Sequence, residues 1–113
     1  MVEAQAWENQ FQAEIDQAKH ARADGKEGMA RVCARRAVGI VLGEYFRRNQ
    51  IPLDSPSAYD RLRFLEKMPG IPDELSIMIQ HFLEKVNPEF KLPVEADLIV
   101  EAQQIREILL KKE

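Results

Sequence analysis

The residues in this chain best suited to gripping a charged group are three arginines, Arg31, Arg35 and Arg36. A guanidinium offers its donors in a planar fork that matches phosphate or carboxylate, and it stays charged at any physiological pH. Arg31 and Arg35 are four residues apart and share one helix face, while Arg36 points about a quarter-turn away. All three fall in the first half of a helix-forming segment, where a cation opposes the helix dipole by about 0.3–1 kcal/mol. Two arrangements account for them, failing which they are solvated charges with no role. Glu3, Glu8, Glu14, Asp16 and Asp24 before them, with Glu95, Asp97, Glu101 and Glu107 near the end, would neutralise them as internal ion pairs. Alternatively, the arginines open into a groove or across a dimer axis and take a phosphate or carboxylate from a ligand. Tyr59 either lines the same pocket or is a core residue with its hydroxyl at the rim.

Other groups able to do chemistry are sparse. His20 and His81 are the only histidines, and neither stands in a metal-binding spacing. His20 follows Asp16 by four residues, so the two can pair on a helix surface. Cys33 is the only cysteine and sits among alanines and valines, as a buried inert thiol would. One cysteine allows no intramolecular disulfide and completes no zinc set. Gly25-Lys26-Glu27-Gly28 follows a helix rather than a strand, so it reads as an interhelical turn and not a phosphate loop. No catalytic residue, metal site or cofactor is expected.

The elements that must position these groups are all helices. Ala4, Trp7, Phe11, Ile15, Ala18 and Ala21 form one stripe over about residues 3–24, and Gly25 is a natural left-handed stop. The segment 28–49 is apolar nearly all round. Ala30, Ala34, Ala37, Val38, Val41 and Tyr45 make one face, with Val32, Ile40, Leu42 and Phe46 around it. Such a helix belongs at the centre of its bundle. Gly39 and Gly43 each cost about 1 kcal/mol against alanine, which close approach of a neighbouring helix would repay. A third helix is expected with Ser55 as its cap and Pro56 at its first position, running to about Lys67 with Ala58, Tyr59, Leu62 and Leu65 inward. A fourth opens at Pro72-Asp73-Glu74, carries Leu75, Met78, Ile79, Phe82 and Val86, and stops at Asn87-Pro88. A last helix is expected over about 94–111, with Leu98, Ala102, Ile105 and Leu109 inward. Short connections imply an up-and-down bundle of about five helices in a single domain spanning residues 1–113.

Composition narrows the function classes. The 113 residues carry a net charge of −3, so a nucleic-acid site would have to be local rather than a broad basic face. No apolar run is long enough to span a membrane. The opening residues Met1 to Glu8 lack a signal-peptide pattern, so a cytoplasmic location is expected.

The run Gly28-Met29-Ala30-Arg31-Val32-Cys33-Ala34-Arg35-Arg36-Ala37-Val38-Gly39 resembles the second helix of HEPN domains. The turn from Ala18 to Gly25, the stretch Ser57-Ala58-Tyr59-Asp60-Arg61-Leu62 and the stretch Asp97-Leu98-Ile99-Val100-Glu101-Ala102 extend the resemblance over about residues 7–110. It implies a helical bundle that dimerises. It further implies either a metal-independent ribonuclease or toxin, often beside a nucleotidyltransferase partner, or a non-catalytic module binding protein, nucleotide or RNA. Active members use an arginine followed four to six residues later by histidine, and no arginine of this chain has a histidine at that distance. The resemblance therefore points to a non-catalytic module of a toxin–antitoxin type system, with Arg31, Arg35, Arg36 and Tyr59 as candidate ligand contacts. The alternatives are a divergent ribonuclease and a purely structural dimerisation domain.

Overall fold

The computed structural model describes residues 2–84 and 96–110, with side chains from residue 6 onward. Five helices make up these residues: α1 Val2–Ala23, α2 Glu27–Arg48, α3 Ala58–Glu66, α4 Asp73–Leu83 and α5 Leu98–Leu109. The chain is an all-α bundle. Each helix packs on the next, and α5 returns to lie against α2 and the edge of α1. No helix is long and apolar enough to cross a membrane among the described residues.

The placement of α2 follows from its pattern. Ala30, Cys33, Ala34, Ala37, Val38, Gly39, Val41, Leu42 and Phe46 are all buried, which leaves little of its surface for solvent. Around it close Phe11, Ile15 and Ala18 of α1, Leu62 and Leu65 of α3, Leu75, Ile79 and Phe82 of α4, and Leu98, Ala102 and Ile105 of α5. The expected stripes hold except that Tyr59 is exposed rather than inward, while Trp7, Tyr45, Ala58 and Leu109 are only half-buried. Ala4 and Val86 lie outside the described side chains.

Two helix ends share one motif with different residues. At the end of α1, Gly25 takes φ +77° and the Lys26 amide donates back to the Ala21 carbonyl at 2.7 Å. At the end of α2, the Ile51 amide donates to the Phe46 carbonyl at 2.9 Å, and Gln50 takes the left-handed conformation at φ 56°. Glycine adopts this geometry freely, whereas a residue with a Cβ is strained there.

The cap of α3 differs from expectation. Ser57, not Ser55, accepts the amide of Asp60, and the helix begins at Ala58. Ser55 is drawn elsewhere: its hydroxyl donates to Asp60 Oδ2 at 2.8 Å and accepts the Ser57 amide at 3.2 Å. Pro56 therefore lies in the loop before the helix. The fourth helix stops at Leu83, earlier than the Asn87-Pro88 break, because Glu84 turns to an extended conformation. The last helix begins at Leu98, where Asp97 accepts the amides of Ile99 and Val100. Its expected start near residue 94 lies outside the described residues.

Gly39 and Gly43 are the seat of α3. A Cβ at Gly39 would lie 2.7 Å from the Cβ of Ala58 and 3.1 Å from its Cα. A Cβ at Gly43 would lie 2.6 Å from Nη1 of Arg61. The close approach expected from the glycine spacing is thus made by the first two turns of α3.

Candidate functional site

The structure divides the three arginines between two places. Arg35 is half-buried and turns toward α4, where its Nε donates to the Phe82 carbonyl at 3.4 Å. Phe82 is in the last turn of α4, so the guanidinium stands where the dipole is negative and a backbone carbonyl lacks a helical partner. Burial, and then the charge of Arg31, hold the Arg35 guanidinium below its ordinary pKa. Arg31 is itself half-buried on the same side.

Arg36 is exposed and turns the other way, into a cleft of about 220 Å³. Its walls are Glu14 of α1, Arg36, Gly39 and Ile40 of α2, and Pro56, Ala58 and Arg61 from the loop and start of α3. Arg36 makes no hydrogen bond or ion pair among the described residues. Internal neutralisation of the cluster by carboxylates therefore does not occur at Arg35 or Arg36 among the described residues. Four of the expected acids are engaged elsewhere. Asp97 bonds Arg22 at 3.0 Å, Glu8 bonds Arg106 at 3.1 Å, and Glu101 bonds His81 Nδ1 through both oxygens at 2.8 Å. Asp16 accepts from Gln12 at 2.9 Å rather than pairing with His20.

Arg61 is a site residue that sequence reasoning missed. Its Nε donates to the Ser55 carbonyl and its Nη1 to the Gly39 carbonyl, each at 2.8 Å. These acceptors are neutral, so they fix the guanidinium without cancelling its charge. The notch at Gly43 makes room for it. The available signal was the glycine pair, which demanded a close neighbour but did not say which one.

Glu14, expected as an internal partner of the arginines, instead lines the cleft with no hydrogen bond to them. Two buried side-chain polar atoms lack a hydrogen-bond partner among the described residues, Trp7 Nε1 and Glu14 Oε1. Only Glu14 of these two lines the cleft. A buried acceptor without a donor costs about 1–3 kcal/mol, so such an atom marks a place where something is expected to bond. Beside it lies Cys33, 1% exposed, whose thiol is pushed up by burial, by the Glu14 charge and by a hydrogen bond to the Glu14 carboxylate, with Arg36 pulling the other way. That thiol is protonated and sheltered, so it is no nucleophile.

Tyr59 does not join the cleft. It lies on the outer side of α3, 46% exposed, with the Arg63 guanidinium 5.7 Å from its ring centre. No group of metal-ligating side chains gathers among the described residues. Fold and cleft together define a helical bundle bearing a small charged recess with two guanidinium groups and one unbonded carboxylate oxygen. Comparison with known proteins finds no matching family model, no matching curated protein and no matching solved structure.

Proposed function

We propose that the chain is a non-catalytic, HEPN-like helical binding module that holds the anionic group of its ligand in the cleft between α1, α2 and the start of α3. The anionic group is a phosphate of a nucleotide or RNA, or an acidic group of a protein partner. The observation that carries this reading is the pairing of Arg36 with Arg61. One guanidinium is exposed and unbonded among the described residues, and the other is fixed in place by backbone carbonyls. Two guanidinium groups meeting in one recess suit a bidentate oxyanion. Nothing in the cleft supplies an activated nucleophile or a histidine base, and the arginine-to-histidine spacing of HEPN ribonucleases is missing, so binding without catalysis fits best.

Titration of isotopically labelled protein with inorganic phosphate tests the reading. Amide shifts are expected to gather at Arg36, Gly39 and Arg61 in the millimolar range, and to vanish in Arg36→Ala. Shifts spread over the surface lysines, or unchanged by that substitution, would refute it.

A further inference from the structure

We infer that the ligand of the cleft is a compact zwitterion, a small molecule whose carboxylate or phosphate rests on Arg36 and Arg61 while its ammonium group bonds Glu14. The inference rests on the anion site of that reading alone and puts a small molecule there in place of a nucleotide, RNA or protein ligand.

The argument is one of complementarity. The cleft holds two guanidinium groups and one carboxylate that are not bonded to one another. A bare anion would satisfy the arginines, yet its charge would face Glu14 and leave Oε1 without a donor. A bare amine would satisfy Glu14 but meet Arg36 and Arg61 as like charges. A molecule carrying both signs a few bonds apart satisfies every group at once. A buried acceptor left without a donor costs more than a made hydrogen bond returns, so the cleft favours the molecule that also bonds Glu14 Oε1.

Size points the same way. A recess of about 220 Å³ is smaller than the roughly 300–1,000 Å³ of sites that enclose drug-sized ligands. It suits a molecule of the bulk of an amino acid or an aminoalkyl phosphate and not a nucleic-acid strand. The overall charge of −3 likewise gives no broad attraction to a polyanion.

Calorimetric titration of the full chain with matched probes tests this. O-phosphoethanolamine is compared with monoethyl phosphate, and β-alanine with propionate, so each pair differs by the amine alone and the two pairs separate phosphate from carboxylate. In at least one pair the zwitterion is expected to bind about tenfold more tightly than its amine-free partner, the worth of one charge-assisted hydrogen bond. Glu14→Gln should reduce that preference to about threefold or less, in part by tightening the amine-free probe now that no carboxylate opposes it, whereas Arg36→Ala should weaken both. Equal affinities within both pairs on the wild-type chain overturn the inference, and that comparison needs no variant. If the amine-free probes bind through Arg36 without any preference for the amine, the zwitterion falls and the anion site stands. If no probe binds, both fall.

Discussion

At Arg35 a guanidinium meets the last turn of α4, and its neighbour Arg36 meets a cleft on the opposite side of the same helix. One residue of sequence turns a helical side chain by about 100°, so adjacent arginines serve different partners. Arg35→Ala removes a charged bond to a helix-end carbonyl and the packing of the aliphatic stem. A loss of about 1–2 kcal/mol is expected in urea unfolding, while Arg36→Ala should change stability by less than about 0.5 kcal/mol. If Arg36→Ala proved the more damaging, the assignment of roles would be reversed. Cys33 gives a second prediction. Its thiol should resist a disulfide exchange reagent in the native protein and react in denaturant, since burial and Glu14 both disfavour the thiolate. The residue types were legible in the sequence, but their directions were not. Glu14 follows Phe11 by three residues and precedes Ala18 by four, which puts it on the border of the apolar stripe. Only the packing of α1 on α2 turns that border into the wall of a cleft.

The two glycines of α2 are superficially alike, yet their environments predict opposite outcomes for alanine. At Gly39 the obstacle is the backbone and Cβ of Ala58, so α3 must shift as a body. Overpacking of about 1–3 kcal/mol should outweigh the roughly 1 kcal/mol gained in helix propensity. At Gly43 the obstacle is the tip of Arg61, which can swing away. Gly43→Ala should therefore be within about 1 kcal/mol of neutral in thermal or urea unfolding. It should nevertheless weaken anion binding by dislodging Arg61 from the Gly39 carbonyl. Similar stability losses in both variants would show that Arg61 is not the movable part. At the α2 terminus Gln50→Gly should stabilise by up to about 1 kcal/mol, because the left-handed conformation at that position carries a Cβ penalty. The sequence disclosed the glycine stop of α1, since Gly25 is the residue that geometry favours. It concealed the matching stop of α2, because glutamine gives no such sign. It also misplaced the α3 cap, where two serines compete and a hydrogen bond from Ser55 to Asp60 decides between them.

For the molecule as a whole, acid response follows from two carboxylates. Asp97 is pushed up by burial, but the bond from Arg22 and the amides of Val100 and Ile99 together hold it below its usual pKa. Glu44 is held down by the Arg47 hydrogen bond, against the upward push of burial, with Arg48 assisting. A depressed carboxylate stabilises the fold fully above its unfolded pKa, about 3.9 for Asp and 4.3 for Glu, and loses that contribution as pH falls through the folded value. The contribution of these two groups to the urea midpoint should thus be level between about pH 7 and 5 and drop below about pH 4. Asp97→Asn keeps a good helix cap but not the charge, and it should make that drop shallower. An unchanged acid limb would show that Arg22 contributes nothing through Asp97. The central position of α2 was legible because apolar residues on all sides leave a helix nowhere else to go. The ionic ties between distant segments were not, because Arg22 and Asp97 are 75 residues apart and nothing local links them.

Those ties have a consequence for the order in which the bundle comes apart. The final helix is fastened near its start by Asp97 to Arg22 and in its last turn by Arg106 to Glu8, while Ala102 and Ile105 anchor its middle. Its fastenings at both extremities are partly exposed charges, which added electrolyte shields, whereas that screening does not weaken the apolar centre. In concentrated salt the amide protons of its two tips should exchange with solvent sooner, leaving those between them protected. A cell's ionic climate would then trim this helix from both ends without loosening it from the bundle.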